Sequence, residues 1–165
     1  MIKKITIVVS VLILPFIFCF LIYIQISQIT KTKDQFNVNE GKVESFGITL
    51  KTYKGGQRSP KTVSEVFYIK LKNNETTFSY FNRNENEYVR LKEKIKSGDA
   101  VKVYNEGYNA SQNTIDIIQL EKNHEILINK SEFDYNAYIL LILFSVFLIL
   151  YFYIPYKYIY LKSKK

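Results

Sequence analysis

The chain offers few groups for chemistry. It has one histidine, His124, and one cysteine, Cys19. A zinc or nucleophilic centre needs several convergent partners, and the sequence supplies none beside either residue. No serine nucleophile elbow, phosphate-cradling glycine loop or HExxH pair occurs in it. His124, next to Glu125, reads as a solvated loop residue, and Cys19 lies inside an apolar run. The expectation is a non-enzymatic protein with no metal and no cofactor.

One constellation could bind a ligand. Lys54, Arg58 and Lys61 fall in the Gly-containing segment KGGQRSPK, Phe78, Tyr80 and Arg83 lie close together in sequence, and Tyr108 sits in a later polar loop. Aromatic rings can stack on bases or sugars while cations attract an anionic chain. The same residues also have a plainer reading, which the alternation favours. In it Phe78 and Tyr80 are core positions of a strand and the lysines are solvated. Burial separates the two.

The elements that would position these residues read clearly between 41 and 130. Lys42–Tyr53 alternates with Phe46, Ile48 and Leu50 on one face, and Gly47 within it suggests a bulge or bend. Val63–Lys72 alternates with Phe67, Ile69 and Leu71 on one face, and a turn at Asn73–Glu75 leads to a strand at Thr76–Phe81. Asn84 is a good N-cap, with Glu87 three residues on and Tyr88, Leu91 and Ile95 at helical spacing before Gly98. Ala100–Tyr104 and Thr114–Leu120 read as two more strands, and His124–Asn129 extends the sheet or leads out of it. Three strands, a helix and two strands are the order of an OB-like five-stranded barrel, with a small SH3-like barrel or an open α+β sheet as alternatives.

Flanking this region are two apolar runs. Ile5–Ile26 is interrupted only by Thr6, Ser10 and Gln25, and Tyr138–Tyr156 only by Ser145 and tyrosines. A helix of about 20 apolar residues crosses the hydrocarbon of a bilayer, so each run reads as a span. Pro15 and the tyrosines around the second run are tolerated or favoured there. The first run exceeds the usual length of a cleavable signal core and lacks a small-residue cleavage site, so it reads as an uncleaved anchor. The expected layout is a cytoplasmic terminus at 1–4, spans at 5–26 and 138–156, linkers at 27–40 and 131–137, an extracytoplasmic β domain at 41–130 and a basic tail at 157–165.

Lysines set the expected orientation. Lys3 and Lys4 precede the first run, and Lys157, Lys162, Lys164 and Lys165 follow the second. By the positive-inside rule both termini are cytoplasmic, in a multi-pass inner-membrane protein. Most of the net charge of +8 lies in these flanks, so it reads as contact with anionic lipid headgroups and not as a nucleic-acid footprint.

Two flanking runs together with Gly98-Asp-Ala-Val-Lys-Val-Tyr104 resemble a broad group of uncharacterised bacterial membrane proteins. In these a small β domain between two spans ends in a glycine–acidic–x–valine–x–valine–tyrosine strand. The glycine before VESFGITL and the later VFYIKLK fit that layout, over about 41–120. The departures are the missing proline turn after Tyr104 and the helix at 85–96. The resemblance implies architecture and no activity. The functional expectation is an interaction module held at the membrane, contacting another envelope protein or an anionic envelope polymer. Its alternative is an immunity or accessory subunit acting through its helices.

Overall fold

The computed structural model describes residues 2–53 and 60–163, with side chains for 13–53, 60–155 and Lys157. They form two compact units, one of 1–31 with 131–165 and one of 32–130.

The first unit consists of helix α1, Ile2–Ile29, and helix α3, Lys130–Ser163. Phe18 of α1 packs against Phe144 and Phe147 of α3, with ring centroids 6.5 and 6.1 Å apart. Around these contacts α3 presents large apolar side chains outward, among them Ile142, Ile149 and Phe152, each more than half exposed.

The second unit begins with a single 3-10 turn, Lys33–Gln35, closed by a capping box between Thr32 and Gln35. Strand β1, Asn37–Tyr53, then runs for 17 residues. It starts within the segment expected as linker, because its first half pairs with β4, Ala100–Asn105, while its second half pairs with β2, Thr62–Leu71. The irregularity in β1 lies between Val43 and Ser45 and not at Gly47. Strand β3, Thr77–Tyr80, pairs with β2 in the expected hairpin.

Helix α2, Glu85–Lys94, forms where the pattern places it. The Asn84 side chain accepts from the Asn86 N–H at 3.2 Å, satisfying one of the orphan donors of the first turn. Tyr88 and Leu91 of α2 and Ile95 just after it are buried against Phe67, Ile69, Phe78, Val101, Val103 and Leu120 in one core. Gly98, at φ +91°, takes the left-handed conformation that only glycine adopts without strain.

The remaining strands correct the expected architecture. Thr114–Leu120 is not one strand but two. The Ile117 N–H donates to the Ser79 carbonyl and the Ile118 N–H to the Tyr104 carbonyl, so the chain changes partners between them. Strand β5, Ile115–Asp116, pairs in parallel with β3, whereas β6, Gln119–Lys122, pairs antiparallel with β4. Strand β7, Glu125–Ile128, is added beyond β6. The result is a mixed seven-stranded open sheet ordered β5-β3-β2-β1-β4-β6-β7, in place of the OB-like five-stranded barrel.

The expected membrane layout is corrected as well. Among the described residues one helix is long and apolar enough to cross a bilayer, Lys130–Pro155 of α3. In α1 the apolar stretch Ile13–Ile29 falls short of that length. A two-span, multi-pass protein with both termini cytoplasmic is therefore not supported.

Candidate functional site

The residues singled out for binding do not form one surface. Phe78 is completely buried and Tyr80 is only 6% exposed, both inside the core under α2. Tyr80 meets Tyr88 edge-on with centroids 6.5 Å apart, and its hydroxyl accepts from the Asn82 side-chain amide at 2.5 Å. Rings so enclosed cannot stack on a ligand from solvent. Lys61, Arg83 and Tyr108 are exposed, Tyr108 to 76%. Lys54 and Arg58 lie outside the described residues. His124 occupies the tight turn between β6 and β7, where it and Asn123 both have positive φ (67° and 49°), as a two-residue hairpin of the primed type requires. Cys19 is exposed on α1. Among the described residues no group of three His, Cys, Asp or Glu side chains could hold a metal ion.

A buried polar cluster lies at the far end of β1. Lys51 is wholly buried, and its ammonium donates to Asp116 of β5 at 2.5 Å. It also sits 5.0 Å from the centre of the Tyr53 ring, a cation–π distance. Beside the pair, the hydroxyls of Ser79 and Thr114 hydrogen-bond at 2.7 Å, both residues being buried. Ser79 is also the register partner of Asp116. Two further contacts fasten this end. The Thr52 N–H donates to the Asn113 side chain at 3.1 Å, and Tyr53 bridges Gln112. Burial raises the Tyr53 hydroxyl above its ordinary value, with the Asp116 carboxylate adding to the effect. The cluster is filled from within the chain: carboxylate, ammonium and hydroxyls satisfy one another. It can hold β5 to β1 and offers no open substrate position.

A second set of charges fastens β6 and β7 to α2. Arg90 donates to the Leu127 carbonyl at 2.8 Å, Lys122 donates to the Lys94 carbonyl at 2.7 Å, and Lys94 pairs with Glu125. Lys122 also pairs with Asp99 at 2.7 Å. That bond, with a further one from the Lys96 backbone, holds the Asp99 carboxyl below its ordinary value. Glu125 is lowered by its hydrogen bond with Lys94, and Glu121 by its bond with Lys33.

What remains on the surface of this unit is an apolar end to the core face of the sheet. Directly opposed residues of an antiparallel pair share a face. The register sets Ile48 opposite Phe67, Leu50 opposite Glu65 and Thr52 opposite Val63. The face that buries Phe67 and Ile69 therefore continues into Ile48, Leu50 and Val63, which are 43%, 59% and 54% exposed. Alternation flags Ile48 and Leu50 as inward-facing positions, but only the structure shows that nothing in the chain covers them. No known protein family matches the chain, and no curated protein matches it.

Proposed function

We propose that the chain is a non-catalytic, membrane-anchored interaction protein. Helix α3 is its anchor in the lipid bilayer, and the unit of 32–130 is its binding part. One observation carries this reading. Both units expose contiguous large apolar side chains: α3 along its length, and the sheet at Ile48, Leu50 and Val63. A contiguous apolar patch on a folded unit marks a contact surface. In α3 the apolar stretch is also long enough to cross hydrocarbon. Partner recognition through these aliphatic side chains suits a protein surface better than an anionic polymer, since Phe78 and Tyr80 are enclosed in the core.

Two measurements test the reading. A spin label at Ile142 of the full chain in lipid vesicles should be reached by oxygen far more readily than by an aqueous nickel reagent, and the reverse would overturn the anchor. In native membranes, a photo-crosslinking residue at Leu50 should give a discrete protein adduct. Adducts to an anionic polymer from the exposed Tyr108, with none from Leu50, would transfer the binding role to the basic and aromatic residues Lys61, Arg83 and Tyr108.

A further inference from the structure

The apolar end of the sheet has a charge pattern that is complementary to itself. Lys61, Val63 and Glu65 follow one another at two-residue steps leading into and along β2, so they share a face by strand alternation. All three are exposed. Across β1 the neighbours on that face are Ile48, Leu50 and Thr52. The patch thus has an aliphatic centre at Val63 with one cation and one anion placed symmetrically on either side of it.

Such an arrangement suits a two-fold contact, in which residue i of one copy meets residue j of the other and j meets i. We propose that this face binds a second copy of the chain, with Ile48, Leu50 and Val63 packing across a two-fold axis near Val63 and Lys61 of each copy set against Glu65 of the other. A partner of uniform charge would satisfy one of these two residues and repel the other; a second copy satisfies both. A bilayer surface would bring Glu65 against anionic headgroups and hydrocarbon together.

The size of the patch constrains where pairing occurs. Three aliphatic side chains and two charges cover far less than the roughly 1,200–2,000 Å² of a stable soluble complex. The inference therefore rests on the anchoring reading: copies confined to one membrane meet at a high effective concentration, which a small contact needs.

The experiment uses the full chain with Cys19→Ser, reconstituted in lipid vesicles at a low protein-to-lipid ratio. Val63→Cys should form a disulfide-linked pair on mild oxidation, and Ile126→Cys, equally accessible on β7 at 43% exposure, should not. On the Val63→Cys background, Lys61→Glu and Glu65→Lys should each reduce the pair roughly tenfold, because like charges then face each other. The double reversal should restore it, since the complementarity is regained with the signs exchanged. Equal crosslinking at Val63 and Ile126, or a double reversal no better than the single ones, would overturn the proposal. So would an environment-sensitive dye at Leu50 that shifts on adding lipid while Val63→Cys forms no pair, since lipid would then be the occupant. Flotation of the vesicles reads the anchor separately. Chain that floats but does not pair defeats this inference alone, and chain that fails to float defeats the anchoring reading, with pairing through Val63 in solution then required for the inference to stand.

Discussion

Lys51 and Asp116, 65 positions apart in the chain, meet at 2.5 Å with the lysine side chain wholly buried and the carboxylate side chain 42% exposed. The asymmetry defines the roles of the two groups. The ammonium has left water and depends on its partner, whereas the carboxylate can turn to solvent if the lysine is removed. Because Asp116 makes up half of β5 and Lys51 lies near the end of β1, the pair ties the shortest strand of the sheet to the longest.

Removing the two partners should therefore have unequal effects. Asp116→Asn leaves a buried cation without an anion. Breaking a fully buried pair costs about 3–5 kcal/mol, and the exposure of Asp116 reduces this to roughly 1–3 kcal/mol. Lys51→Met keeps the apolar stem and returns Asp116 to water, so its loss should be smaller, under about 1 kcal/mol. Urea unfolding of the full chain in mild detergent, followed by tyrosine fluorescence, measures both. A Lys51→Met variant less stable than Asp116→Asn would show that the ammonium itself is a net source of stability.

Acid should weaken the unit through its fastened carboxylates. Asp99, Glu121 and Glu125 all have lowered native values, caused first by hydrogen bonds from Lys122, Lys33 and Lys94. A carboxylate lowered on folding contributes stability that is fully present above its unfolded value and is lost as pH falls through its native one. With ordinary carboxylate values near 4, the unfolding midpoint should hold steady from about pH 7 to 5 and fall below that. Lys122→Met should flatten the part of this decline that belongs to Asp99. An unchanged acid limb in that variant would remove Lys122 as the cause.

Which parts were legible in the sequence follows from the range over which each signal acts. Helix α2 was legible because Asn84, Tyr88, Leu91 and Ile95 carry a cap and a face within twelve residues. The β1–β2 hairpin was legible because its apolar residues alternate. The splitting of Thr114–Leu120 was not, since Ile115, Ile117 and Ile118 are apolar throughout and only their hydrogen bonds to Ser79 and Tyr104 reveal the change of partner. Lys51 was missed for a related reason. A lysine between Leu50 and Thr52 reads as an outward position, and its partner is too distant in sequence to suggest otherwise. Of the binding constellation, alternation did point to core places for Phe78 and Tyr80, whereas the accessibility of Lys61, Arg83 and Tyr108 depends on tertiary packing.

The buried face of α2 can be tested by two adjacent residues. Leu91 is fully buried and Lys92 exposed. Leu91→Ala should cost about 2–5 kcal/mol, from lost transfer energy and the cavity left behind. Lys92→Ala should stay within about 0.5 kcal/mol. Equal unfolding midpoints for the two would mean that the helix presents another face to the sheet.

The last test separates core tyrosines from surface ones. Tyr80 and Tyr108 were candidate stacking rings for the same ligand, yet one is 6% and the other 76% exposed. Tyr80→Ala removes a ring packed edge-on against Tyr88 and takes the acceptor from the Asn82 side chain. Truncating a large aromatic side chain in a core costs about 3–5 kcal/mol. Tyr88→Phe should cost less, about 1–2 kcal/mol, because it keeps the ring and loses only the hydroxyl that accepts from the Asn82 N–H at 2.9 Å. Tyr108→Ala should leave stability within about 0.5 kcal/mol. Denaturant titrations of the three variants should rank them in that order. If Tyr80→Ala matched Tyr108→Ala, the Tyr80 ring would not belong to the core under α2, and its availability to a ligand would have to be considered again.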